Sequence, residues 1–204
     1  MIAVVNYGLG NVQAILNIYQ RLRMPAEGVT CAERLLSAEK IVLPGVGAFD
    51  WAMSRLSDSG MQDVLTSRVL NDGVPVLGIC VGMQMLASSS EEGSLPGLNW
   101  IPGEVKRLAP KGDAGALPLP HMGWNSTTPV ERSGLFASFE SDPRFYFLHS
   151  FYFAPSSTED VLSVTSYGGK FAASVRRGNI HGVQFHPEKS HEWGIQLLKN
   201  FGAM

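Results

Sequence analysis

Two stretches of this chain hold side chains able to do covalent chemistry. In Gly78-Ile79-Cys80-Val81-Gly82 a cysteine stands between two glycines. The continuous apolar run 74–79 precedes it and the good helix formers Met83-Gln84-Met85-Leu86-Ala87 follow it. A buried strand turning sharply into a helix through such a motif is a nucleophile elbow with sulfur as the attacking atom. The glycines are needed because the tight turn brings backbone segments together where a Cβ would clash. A helix starting after Cys80 would aim unpaired N–H groups and partial positive charge at the sulfur, which favours the reactive thiolate.

The second stretch is Gly182-Val183-Gln184-Phe185-His186-Pro187-Glu188-Lys189-Ser190. Proline keeps the chain extended there, so His186 and Glu188, two apart, are expected on the same side. An imidazole beside a thiol takes its proton and holds the thiolate, and a carboxylate beside the imidazole fixes its tautomer. The order nucleophile, base, acid (Cys80, His186, Glu188) differs from the nucleophile, acid, base order of α/β-hydrolases. Alone, Cys80 could be a buried structural thiol, His186 a strand-end histidine and Glu188 a solvated charge; their combination argues for a catalytic set. His181, His186 and His191 are spaced by five, which matches no usual metal-ligand motif, so no metal is expected.

The elements that must position these groups follow from the apolar pattern. Residues 2–5, 41–43 and 74–79 read as buried strands, and 12–22, 48–56, 61–70 and 191–201 as helices. The last of these should bury Trp193, Leu197, Leu198 and Phe201. Gly8-x-Gly10 opens a helix after the first strand, but Gln13 stands where a dinucleotide-binding fingerprint needs its third glycine. Pro44-Gly45-Val46-Gly47 follows the second run, either as a tight turn or as a loop aiming a peptide N–H at developing negative charge. Beyond Pro96 short strands and turns take over, including 161–167, 171–175 and 180–185, while 111–116 reads as a flexible surface loop. The fold class is therefore α/β: a central mixed, mostly parallel sheet flanked by helices, with antiparallel strands added in the second half, all in one domain spanning 1–204.

With 204 residues, 17% of them charged, and a formal net charge of -2, the chain has no electrostatic footprint for nucleic acid or a membrane surface. The N-terminal Met1-Ile2-Ala3-Val4-Val5 enters a strand directly, without a charged leader or cleavage site, and two cysteines allow at most one bridge. A cytoplasmic protein with free thiols is expected, with Cys31 structural.

These motifs resemble those of class I (triad-type) glutamine amidotransferases. The resemblance rests on Leu43-Pro44-Gly45-Val46-Gly47-Ala48-Phe49, residues 77–84 and 184–190. The segments Asn6-Tyr7-Gly8-Leu9-Gly10-Asn11, Pro120-His121-Met122-Gly123-Trp124-Asn125 and Tyr146-Phe147-Leu148-His149-Ser150 extend it to the glutaminase subunits of imidazole glycerol phosphate synthases. It covers nearly the whole chain and implies a flavodoxin-like fold and no cofactor. It also implies Cys80, His186 and Glu188 as the catalytic triad and the N–H groups of Val46 and Val81 as oxyanion hole. Gly47, Gln84, Ser150 and Phe151 would bind glutamine, and Asn11, Trp124 and Lys189 would face a (β/α)8-barrel cyclase that uses the ammonia. Asn6 and Phe151 depart from the common aspartate and tyrosine, and 111–119 resembles an insertion. Three rival readings are a paralogue feeding ammonia to a surface-polysaccharide sugar, a silent binding module of the same fold, and a cysteine peptidase or esterase.

Overall fold

The first apolar runs become strands β1 (Ile2–Val5), β2 (Ala26–Val29), β3 (Lys40–Gly45) and β4 (Val76–Cys80) of one parallel sheet. The coordinates are a computed structural model describing residues 1–109, 111–112 and 115–204, with backbone alone for 111–112 and 115–116. Across the sheet the order is β2-β1-β3-β4, followed by Ile180–Val183 in parallel with β4. Lys170–Arg177, Val161–Ser166 and Thr128–Pro129 then add antiparallel strands, making eight in all. β1 and β4 are buried along their whole length, which is why they read as unbroken apolar runs. Ligands of such doubly wound sheets bind beyond the carboxyl ends of the parallel strands.

Helices Val12–Arg21, Phe49–Asp58, Gln62–Leu70 and His191–Ala203 lie where the apolar spacing puts them, within two residues at either end. The last helix buries Gly194, Leu197, Leu198 and Phe201, while Trp193 is only half-buried, packed against Phe139 at 5.7 Å between ring centroids. Strand β2 and the short helix Ala32–Leu35 were not expected. β2 is a sheet edge with only Val29 buried, so it carries almost no apolar signal. The segment read as a flexible loop contains an antiparallel pairing of Lys111–Gly112 with Gly115–Ala116; residues 113–114 lie outside the described residues. Cys31 is an exposed free thiol rather than a structural one.

The helix after Cys80 is a single turn, Val81–Gln84, shorter than the run of helix formers suggests. The returning segment stops it: the N–H groups of Leu98, Asn99 and Trp100 take the carbonyls of Met85, Ala87 and Leu86. Among the described residues no helix is long and apolar enough to cross a membrane.

A separate antiparallel ribbon pairs His121–Ser126 with Arg144–His149, and its Leu148 and His149 line one cleft with Cys80 at the end of β4. It is tied to the sheet through His186, whose N–H donates to the Tyr146 carbonyl at 2.9 Å, and through Ser190 Oγ, which accepts from the Tyr146 N–H at 3.0 Å.

Three buried histidines make stability pH-dependent. Burial presses His121 down to about 4, His149 to about 3 and His181 to about 4. The unfolded chain binds protons below the ordinary histidine pKa of about 6.5 while these folded-state rings do not, so stability is lost as pH falls from there toward about 4. The melting temperature is expected to drop over that window. In His181→Gln the acid-side slope should be shallower by up to about 1.4 kcal/mol per pH unit, the contribution of one proton.

Candidate active site

Cys80 ends β4 in a conformation that side chains rarely adopt, φ +56° and ψ -112°. A strained non-glycine residue at a strand-to-helix turn is what an elbow requires to lift its side chain out of the sheet. The turn is possible only because Gly82 has no Cβ: one built there would lie 1.9 Å from the Leu43 carbonyl oxygen. β3 therefore packs directly on the elbow, Gly45 pairing with Cys80. Pro44 is held from below by Tyr7, whose hydroxyl donates to its carbonyl at 2.8 Å. This brings Val46 and Gly47 to the same cleft as Cys80 and Val81.

His186 arrives from the neighbouring strand, Ile180–Val183. Its own backbone is extended, but Pro187–Lys189 is a 3-10 turn, not the extended stretch expected from the sequence. The reason is that proline is well tolerated at the start of a helical turn, and Ser190 closes it by donating from Oγ to the His186 carbonyl. The turn still sets Glu188 beside His186: Nδ1–H of the imidazole donates to Oε1 at 2.8 Å, with the two side chains 4% and 2% exposed. The ring lines the same cleft as Cys80.

Burial alone would lower the His186 pKa; hydrogen bonds to Cys80 and Glu188 and the negative charge on both overcome it and raise it to about 10. Burial likewise opposes ionisation of Glu188, yet the His186 hydrogen bond and charge, with a further bond from Asn11, hold its carboxyl below the usual range. A histidine raised in this way stabilises the fold fully below about 6.5, and that contribution is lost as pH rises through about 10.

Asn11 is thus no bare surface residue: its Nδ2 donates to Glu188 Oε1 at 2.7 Å, and it lines the cleft. Removing it strips one of two donors from a buried carboxylate. We expect Asn11→Ala to cost about tenfold in kcat/KM for glutamine, measured as glutamate release.

The cleft has a volume of about 360 Å³ and takes in Gly47, Gln84, Ser150, Phe151 and Lys189 together with Cys80 and His186. Gln84 donates from Nε2 to the Phe151 carbonyl at 3.0 Å and to Gln184 Oε1 at 3.2 Å. Gln184, fully buried, points its Nε2 at the Cys80 sulfur at 3.8 Å. Sequence reasoning passed over Gln184, although its alternation with His186 carried the signal. It also missed Glu92, which lines the cleft and accepts the Phe49 N–H at 2.9 Å. No sequence signal links Glu92 to the site, because a loop distant in the chain delivers it.

Trp124 lies apart from the cleft, on the outer face of the ribbon, 39% exposed and stacked on His191 at 5.2 Å. Lys189 is exposed at the cleft mouth with its ammonium 5.9 Å above the Tyr146 ring. Among the described residues no group of histidine, cysteine, aspartate and glutamate could hold a metal ion, His181, His186 and His191 included.

The model of the family "Glutamine amidotransferase class-I" matches residues 3–203. Imidazole glycerol phosphate synthase subunit HisH of Bdellovibrio bacteriovorus is 55% identical over 204 residues, all of both chains. The protein of the same name from Leptospira interrogans is 46% identical, again over the full length of both. Among solved structures, one described as a glutamine amidotransferase superposes with a TM-score of 0.73 at 20% identity, covering 98% of each chain. With the fold, a buried cysteine at the elbow and these full-length relatives, the chain belongs to the class-I glutamine amidotransferases, and within them to the family of imidazole glycerol phosphate synthase subunits.

Proposed function

We propose that this chain is a single-domain, cytoplasmic glutaminase subunit that hydrolyses glutamine to glutamate and ammonia and passes the ammonia to a cyclase partner with a (β/α)8 barrel. In that synthase the pair would make imidazole glycerol phosphate for histidine biosynthesis. The observation that carries the reading is one cleft lined by Cys80 and His186, with the His186 ring and the Asn11 amide both donating to Glu188 Oε1.

The Cys80 thiolate attacks the side-chain amide carbon of glutamine, and the carbonyl oxygen becomes an oxyanion facing the N–H groups of Val46 and Val81. The His186 imidazolium gives its proton to the departing nitrogen, and ammonia leaves as the C–N bond breaks. The γ-glutamyl thioester remains. His186, now neutral, takes a proton from a water that attacks the thioester; the thiolate is expelled and glutamate is released. Glu188 stays ionised throughout and steadies the imidazolium. Gly47, Gln84, Ser150 and Phe151 hold the substrate's amino-acid end.

Free ammonia is protonated in neutral water and useless as a nucleophile, so a sealed route to a partner is required. The ribbon supplies a surface suited to one. Met122, Trp124 and Leu148 share its outer face and are 64%, 39% and 37% exposed, and Leu148 reaches the cleft. With Asn11 and Lys189 at the cleft mouth, this face is where the cyclase would seat. A buried aromatic anchor is worth at least about 2 kcal/mol, so Trp124→Ala should weaken the complex by about 30-fold in titration calorimetry.

The deciding experiment is to co-purify the chain from its host, identify the companion, and measure glutamate release with and without it. Glycines flank Val46, which allows its peptide to reorient, so turnover should be low for the isolated chain and rise when the companion binds its own ligand. Equal turnover in both states would remove the case for a coupled subunit.

A further inference from the structure

The inner side of the same ribbon holds two histidines. His121 and His149 pair across it and are 3% and 6% exposed. Nδ1 of His149 lies 2.8 Å from the Phe151 carbonyl oxygen. A carbonyl only accepts, so Nδ1 carries the proton, and in a neutral ring Nε2 is then an acceptor. That Nε2 is 3.0 Å from Nδ1 of His121, which must therefore donate. The other His121 nitrogen accepts from Asn125 Nδ2 at 3.2 Å. Asn125 is itself fixed in orientation, donating to the Ser166 carbonyl and accepting the Ser126 N–H, each at 2.9 Å. Every proton in this series has one place, and each points toward Phe151. Burial keeps both rings neutral, as the series requires, and the His121 ring is stacked on Tyr167 at 4.3 Å and Phe147 at 4.9 Å.

We propose that His121 and His149 are positioning residues for the glutamine site, an imidazole pair locked in one tautomer that aims the Phe151 carbonyl and, through it, Gln84. The inference rests on the glutaminase reading above, in which Phe151 and Gln84 hold substrate. The Phe151 carbonyl accepts from His149 on one side and Gln84 on the other, and Gln84 leads through Gln184 to the Cys80 sulfur. A lone imidazole could move its proton to Nε2 and turn a lone pair on the carbonyl, releasing Phe151 and Gln84 together. His121 prevents this by occupying Nε2 with a donor.

The test uses two His149 variants in the complex with the partner subunit. His149→Asn keeps an N–H near the Nδ1 position, whereas His149→Gln places its amide near Nε2 and leaves the carbonyl to Gln84 alone. We expect His149→Gln to raise KM for glutamine about tenfold with kcat within about twofold, and His149→Asn to restore most of the difference. Nitrogen-15 spectra of the wild-type chain should show both rings as Nδ1–H tautomers, and His121→Phe, which keeps the stacking, should give His149 a mixture. An Nε2–H tautomer on either ring, or equal losses in the two His149 variants, would overturn the proposal while wild-type turnover stayed intact. A wild-type complex that releases no glutamate would instead overturn the glutaminase reading and this inference with it, leaving the tautomers as observed.

Discussion

Cys80→Ala should lower glutamate release by at least about 10⁴-fold while leaving the fold intact, because it removes the sulfur proposed to form the thioester. Binding of glutamine should survive, since the cleft walls are unchanged. Glu188→Gln is the informative companion. Both donors to Glu188, from His186 and Asn11, converge on Oε1, and Oε2 is buried without a partner. A glutamine can keep its carbonyl oxygen at the Oε1 position and still accept both, so the imidazole tautomer is preserved and only the charge is lost. The expected loss is therefore about 10²-fold, less than the ~10⁴ seen where an amide inverts the tautomer. Its signature lies in the pH profile. The negative charge on Glu188 is one of the causes that raise the His186 pKa, so removing it should move the alkaline limb of kcat/KM to lower pH. A profile that keeps its alkaline limb would show that Glu188 does not hold the imidazolium.

Gly82→Ala should cost about 3 kcal/mol or more of stability, read as a lower urea midpoint at unchanged slope, and should also abolish turnover. The added methyl would meet the Leu43 carbonyl oxygen at 1.9 Å and the Leu43 and Pro44 carbonyl carbons at 3.0 and 3.3 Å. These are backbone atoms of β3, which pairs with β4 along its length, so neither side can yield without breaking the ladder. Any relief would separate Val46 from Val81, the two groups proposed to face the oxyanion. Gly169→Ala is the control: nothing lies within 4 Å of the added methyl, and the change should fall within about 0.5 kcal/mol. Equal stability loss in both variants would mean that the elbow is not sterically determined.

What the sequence alone determined was short-range shape and which side chains could do chemistry. The runs that became β1, β3 and β4, the parallel-then-antiparallel order, and the elbow around Cys80 depend on apolar continuity and on glycine's lack of a Cβ, both local properties. The pairing of His186 with Glu188 was legible for the same reason, although a 3-10 turn rather than an extended strand brings them together. Partners chosen across the fold were not legible. Asn11 meets Glu188 because β1 and Ile180–Val183 run parallel in one sheet and the segments that follow them leave it at the same, carboxyl end. The single-turn helix after Cys80 is cut short by carbonyls taken by residues 98–100, and the neutral His121–His149 series exists because ribbon pairing buries both rings. A residue's type and neighbours limit which bonds it can make; which bond forms depends on where the rest of the chain, folded around a common core, leaves a matching donor or acceptor without water.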